Sequence, residues 1–278
     1  MTSTTPGGVA APSGATPPPR GRAASLALIV TKPTVYFPII AFVVFLIAWE
    51  YVGTRIDPLL FAPPTAVVTA FAELVASGEL FSAMLITLNA LIVGFALSAA
   101  VGIPVGVLMG RRAVVGKVLD PYLDAIYATP RVVIVPLIVL WFGVGYSARL
   151  FLIFIGTTIP IIVSTAVGVR NSRRDLIEVA TSVGADAQQV IRHVQLPGAV
   201  PYVAAGLRIA AERAVVGVVI GEIFLELTGL GGLIQVRAQA FDVPEVLVAV
   251  VVIATIGTAF IGLLDALENR VSAWKGDG

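Results

Sequence analysis

Apolar residues come in this chain as long blocks separated by short polar ones, and the blocks are far longer than the buried side of a soluble helix or strand requires. They run from about Tyr36 to Val52, Phe81 to Gly110, Val114 to Trp141, Ala148 to Val169, Tyr202 to Phe224 and Val246 to Leu267. Crossing about 30 Å of hydrocarbon takes about 20 helical residues, and in lipid a helix satisfies all its own backbone groups. The pattern therefore predicts an all-α, polytopic membrane protein of about six transmembrane helices, the first at the lower limit of length. Gly94, Gly102 and Gly106 stud the second span, where small residues let helices approach closely. Pro121, Pro130 and Pro136 fall in the third, which should be kinked or broken, and a broken helix in a bundle often lines a path.

Two stretches depart from this rhythm. Between Gly53 and Leu80, the proline pair Pro63-Pro64 followed by TAVVTAFAELVASGEL predicts a short amphipathic surface helix, with Pro64 at its first position and Gly78 just past its end. An interfacial helix that only caps the bundle explains it equally well. The longest polar run, Arg170 to Pro197, reads as a helical hairpin. Ser172 with Asp175 three residues on suggests an N-cap and an acidic first turn, and Leu176, Ile177, Ala180 and Val183 recur at helical spacing. Gly184 is expected to end this helix in a left-handed residue. Asp186 with Gln189 starts the next as a capping box, Val190, Ile191 and Val194 form its apolar stripe, and Pro197 is expected to stop it.

Composition agrees with the spans: 278 residues are 58% hydrophobic and 13% charged, with a mean hydropathy of +0.97. Cysteine is absent, which removes disulfide, thiol and Cys-metal chemistry. The net charge of +1 gives no reason to expect nucleic acid. The Pro-, Gly- and Ser-rich residues 1–25 are expected to be a disordered tail, because they lack the bulky apolar residues that offset ordering. The remaining divisions are 26–80, holding the first span and the amphipathic segment, a core at 81–270, and a C-terminal tail at 271–278. With the N-terminus placed in the cytoplasm, twelve Lys and Arg fall on inside segments and three, Arg55, Arg149 and Arg237, on outside ones. This positive-inside bias puts both termini and the Arg170 to Pro197 hairpin in the cytoplasm.

Arg131, Arg208 and Arg213 fall inside spans, as do Glu212 and Glu222. A charge at the centre of a spanning helix costs about 2.5 to 3.5 kcal/mol even on the lenient scale, so each should face the bundle interior, water or a partner. Arg131 lies about 21 Å beyond Lys117, and Arg213 about 18 Å beyond Pro201, which puts both near one depth. They either help an anionic or polar solute across or pair with Glu212 or Glu222 as interhelical bridges. Arg208, nearer the cytoplasmic end, is expected to snorkel or to bond helix-end carbonyls. The single histidine, His193, sits on the hairpin, so no multi-His metal site is available. GRRAVVGKV at Gly110 to Val118 has the wrong spacing for a phosphate loop and lacks its Ser or Thr.

The hairpin carries Glu178, Val179, Ala180, then Gly184, then Val194, Leu196 and Pro197. It resembles the EAA loop of binding-protein-dependent ABC importer permeases, with Val179 and Val194 as conservative departures. AIYATPRVVIVPLIVLWFGVG, GLRIAAERAVVGVVIGE and TGLGGLIQVRAQAFDVPE are similar to stretches of the sulfonate, taurine and nitrate branch, although Glu212 stands where a small residue is common there. The resemblance covers most of Phe61 to Trp274. It implies the type I importer permease fold, a non-catalytic role, and a hairpin that docks on an ATPase. Glu178, Ala180, Gly184, Ala185, Asp186, Gln189, Val190, Ile191, Leu196 and Pro197 would form and present that docking element, and Arg131, Arg213, Glu212 and Glu222 are candidates for the path. Implied partners are two ABC ATPase subunits that bind the ATP and magnesium, an extracytoplasmic solute-binding protein, a second copy of this chain, and the lipid of a bacterial cytoplasmic membrane. No cofactor is expected on this chain itself. The TGLGG turn at Thr228 to Gly232 would be an irregular outer turn, serving either as part of an external gate or as plain turn chemistry. An ATP-independent transporter or channel would also explain the spans and buried charges but gives the capped hairpin no purpose. An intramembrane enzyme would use Glu212 and Glu222 but lacks a full catalytic constellation.

Overall fold

The computed structural model of the protein describes residues 33–172 and 174–272. The expectations for the tail at 1–25, for Arg173 and Asp175 at the hairpin's first cap, and for the end of the C-terminal tail lie outside the described residues or side chains. Every element among the described residues is helical. Four helices are long and apolar enough to cross a membrane, and six spans result if each of two bent pairs counts as one.

The chain divides into two units at Tyr51 and Val52. The first span, helix α1 at Pro33–Gly53, belongs to the first unit. In the second, α2 at Pro64–Ala76 begins at its proline and is followed by left-handed Gly78 (φ 76°). Ala70 and Leu74 of α2 join a buried cluster with Leu80, Leu233 and Val248. The amphipathic segment therefore belongs to the core, and the expected grouping of 26–80 is divided.

Three helices form the heart of the second unit: α3 at Glu79–Arg111, α6 at Tyr146–Arg170 and α9 at Leu196–Gly221. Their contact is dictated by glycine. A Cβ on Gly94, Gly102, Gly106 or Gly110 of α3 would meet Ile153, Ile161, Thr165 or Val169 of α6 at 2.6 to 2.9 Å. The partners advance together, so α3 and α6 run parallel. Gly168 meets Tyr202, Gly206 meets Ser164, and Gly221 meets Arg149, an order that reverses and makes α6 and α9 antiparallel. Backbones this close gain the dense van der Waals contact that drives helix association in lipid.

Between α3 and α6, the third span is broken. Helices α4 at Ala113–Ala128 and α5 at Arg131–Phe142 meet at 101°. Pro130 drives Thr129 into an extended conformation (ψ 124°), whereas Pro121 and Pro136 are accommodated inside their helices. After α6 come the short α7 at Arg174–Ser182 and α8 at Ala187–Val190. Contrary to expectation, Pro197 does not stop the helix. A π-helical turn at Ile191–Gln195 follows α8 and leads directly into α9, with Leu196 N–H donating to Ile191 O. The wider turn relieves the proline ring's clash with the preceding carbonyls, and the proline sits in the first turn of α9, where a missing N–H does least harm.

The long helix ends in a second π turn at Glu222–Glu226. Helix α10 at Gly229–Gln239 follows at 56°, and α11 at Val243–Ser272 makes the last span. The expected irregular turn runs over Leu227, Thr228 and Gly229, with Leu227 and Gly229 left-handed (φ 51° and 66°), whereas Gly231 and Gly232 lie within the helix.

Candidate functional site

The hairpin is built from local signals. Gly184 is left-handed (φ 86°), Ala185 N–H donates to Ala180 O, and Gly184 N–H to Thr181 O, each at 3.0 Å. This is a Schellman closure, which uses the last carbonyls of α7. Asp186 then caps α8: its Oδ1 accepts from the N–H groups of Gln188 and Gln189 at 2.8 Å, and Gln189 Oε1 accepts from Asp186 N–H at 2.9 Å. Glu178, Asp186 and Gln189 are exposed, as is Val183 at the tip of α7 (81%). Val190 departs from the expected docking surface because it is buried, and Ile191 is half-buried. Ser172 is buried and its hydroxyl donates back to Gly168 O at 3.5 Å. A cavity of about 440 Å³ lies under the hairpin, walled by Leu176, Val179, Ala180, His193, Val194 and Tyr202.

A second cavity, of about 170 Å³, opens at the break of the third span and is lined by Tyr127, Thr129, Pro130, Arg131, Gly156 and Arg213. Arg131 Nη1 donates to Arg213 O at 2.7 Å and Nη2 to Gly156 O at 3.3 Å. Gly156 is required there, because a Cβ would sit 2.5 Å from the Arg131 Cζ. The Arg213 guanidinium donates to Tyr127 Oη at 3.0 Å and lies over its ring at 5.2 Å. Among the described residues, neither arginine has a carboxylate within ion-pair distance, so the expected bridges from Arg131 or Arg213 to Glu212 or Glu222 do not form. Glu212 is exposed.

Glu222 lies elsewhere. It is fully buried, and its partner is Arg149 of α6 at 3.4 Å. Arg149 also pairs with Glu226 at 3.3 Å and donates to Thr228 Oγ1 at 3.0 Å. Counted on the sequence as an outside basic residue, Arg149 is in fact 2% exposed. Its position four residues into an apolar helix, three after Tyr146, whose ring it overlies at 5.2 Å, was the available signal. Arg208 does not simply snorkel, since its Nε meets Asp265 Oδ1 of α11 at 2.6 Å. Tyr127 and Gly156 were also missed, because nothing local marks them as cavity walls.

Residues 102–273 match the model of the binding-protein-dependent transport system inner membrane component family. The chain belongs to that family. It is a permease subunit of an ABC importer, and ATP hydrolysis resides in a separate subunit. The permease is 32% identical to the taurine transport system permease protein TauC of Escherichia coli, over 84% of this chain and 88% of that one. It is also 32% identical to the riboflavin transport system permease protein RibX of Chloroflexus aurantiacus, over 76% and 79%. Its fold resembles a chain of the MetNI methionine ABC transporter solved in an inward-facing conformation, with a TM-score of 0.59 at 19% identity, covering 66% of this chain and 92% of that one.

Proposed function

We propose that this permease couples ATP hydrolysis on a docked ATPase to the import of a small anionic or polar solute, of the sulfonate, taurine or nitrate kind, through the cavity at Arg131 and Arg213. The observation that carries the reading is the unbroken helix from Ala187 to Glu226. Its first turn is the exposed, capped start of α8, and about 40 Å further on, at about 1.5 Å per residue, it bears Arg213 in the cavity wall. Force applied at Asp186 to Gln189 therefore reaches the cavity along one rigid rod, with no loop to absorb it.

The chain has one such hairpin and two ATPases form an ATP-driven pair, so the assembly is a homodimer with one hairpin per ATPase. ATP and magnesium are bound by those ATPases and no cofactor by this chain. A solute-binding protein delivers the cargo at the far face. The permease sits in a bacterial cytoplasmic membrane with both termini cytoplasmic, in line with its positive-inside bias. Two uncompensated guanidinium groups beside a cavity favour an oxyanion.

The test is ATP hydrolysis and solute uptake in proteoliposomes holding the permease, its ATPase and its binding protein, with Gly184→Asp compared to wild type. Aspartate strains the left-handed closure and leaves the spans intact. The reading expects hydrolysis and uptake to fall together, and uptake that persists without any ATPase overturns it.

A further inference from the structure

Glu222 is the one fully buried carboxylate among the described residues, and its partners come from three other elements. Thr87 of α3 donates its hydroxyl to the carboxylate at 2.8 Å, Gly231 of α10 donates its backbone N–H at 2.9 Å, and Arg149 of α6 supplies the charge. Thr87 Oγ1 in turn accepts Leu230 N–H at 2.9 Å. The first turn of α10 is thus held by a carboxylate at its N-terminus, where backbone N–H groups favour negative charge. Glycine makes room for it: a Cβ on Gly229 would collide with Glu222 Oε1, and one on Gly231 would lie 2.7 Å from Glu222 Cβ.

Between the carboxylate and α10 runs a strip of two residues. Leu227 is left-handed (φ 51°) without being glycine, a strained conformation that persists only where surroundings enforce it. Thr228 is extended and anchored to Arg149. Two cavities flank this strip. One, of about 400 Å³, is walled by Asn89, Tyr146, Arg149 and Glu226; the other, of about 310 Å³, by Ala83, Gly232 and Val236. Ile86 and Thr228 line both, and Leu227 lines the smaller one, so Thr228 with Ile86 forms the wall they share and Leu227 backs it on one side. It stands at the opposite end of the Ala187–Glu226 helix from the hairpin.

We propose that Glu222 is the positioning residue of a gate: clamped by Thr87 and Arg149, it holds Leu227 and Thr228 as a partition, and loosening of the clamp joins the two cavities. A plain ion pair would need only Arg149. The additional hold on Thr87 and on α10 ties the partition to the α3 and α6 pair, so relative motion of α9 and α3 must break or shift it. The proposal rests on the permease reading for the direction of that motion, but the clamp itself is measurable without ATP.

The absence of cysteine supplies a silent background for a single thiol. Ala83→Cys places one, buried, in the wall of the smaller cavity, and Ala210→Cys places a control in the core of α9. Modification by N-ethylmaleimide is timed in the solubilised permease and in the complex with its ATPase. Thr87→Val and Glu222→Gln are expected to raise the rate at Ala83→Cys by about tenfold, the effect of losing a hydrogen bond to a charged group. Thr87→Ser should return it to the parent rate, and the rate at Ala210→Cys should not move. In the complex, vanadate trapping of the nucleotide-bound state should raise the Ala83→Cys rate in the parent and add nothing in Thr87→Val. Parent-like rates in both variants, an equal rise at both thiols, or no effect of trapping in the parent each overturn the proposal. Failure of the transport reading shows separately, as a Gly184→Asp protein whose uptake is unchanged.

Discussion

Two groups of arginine enter the membrane region of this permease under opposite conditions. Arg149 is almost wholly buried and is met by Glu222, Glu226 and Thr228. Arg131 and Arg213 line an open cavity and hold only carbonyl and phenol oxygens. A buried ion pair that loses one member leaves a charge with no solvent and no partner. An arginine whose partners are neutral dipoles keeps its positive charge available to a visitor. The first arrangement fixes structure; the second leaves a charge to be used.

Arg149→Met should sharpen this contrast most. With Glu222 left uncompensated, stability should fall by about 3–5 kcal/mol, read as a lower thermal midpoint in detergent. Adding Glu222→Leu to it should recover a large part of the loss, since apolar replacement of a whole buried pair is often neutral. Next is Arg131→Gln, for which uptake of a sulfonate should drop about tenfold or more, while stability falls by less than in Arg149→Met, about 1.5–3 kcal/mol, the scale of a hydrogen bond with one charged partner. If Arg131→Gln instead costs as much stability as Arg149→Met, the distinction between the two groups collapses. Arg131→Lys should recover uptake only in part, because an ammonium cannot span Arg213 O and Gly156 O as the guanidinium fork does.

Smaller effects probe the supports. Gly156→Ala puts a methyl group against the Arg131 guanidinium and should lower uptake a few-fold by displacing it. Smallest is Asp186→Ala, which removes the cap of α8 and should destabilise the hairpin by about 1 kcal/mol. Its signature is a modest loss of solute-stimulated ATP hydrolysis, with the thermal midpoint of the spans in place.

The hairpin was legible almost residue by residue. Gly184 and the Asp186–Gln189 box act over three to five residues, and their hydrogen bonds form wherever that sequence is helical. That the third span would break was legible for the same reason, because proline restricts its immediate neighbour, but that the break falls at Pro130 and not at Pro121 or Pro136 was not. Pro197 misled because the same local rule holds only if the preceding turn is α-helical. A π turn at Ile191–Gln195 widens it, and packing of the continuous rod, which no local pattern records, favours that choice.

The sequence by itself determined that this is an all-helical membrane protein, how many apolar blocks it has, where its polar hairpin lies and how that hairpin is capped. Each of these follows from hydrophobic length or from contacts between near neighbours. Only the tertiary structure decided which buried charges meet. Thr87 lies 135 residues from Glu222, and Arg149 lies 73 from it. Their meeting depends on the depth and rotation of α3, α6 and α9, set by glycine contacts along three helices at once. Charge and hydropathy placed Arg131, Arg149 and Arg213 near apolar segments; the geometry of packed backbones gave one of them carboxylates and left the other two facing a cavity.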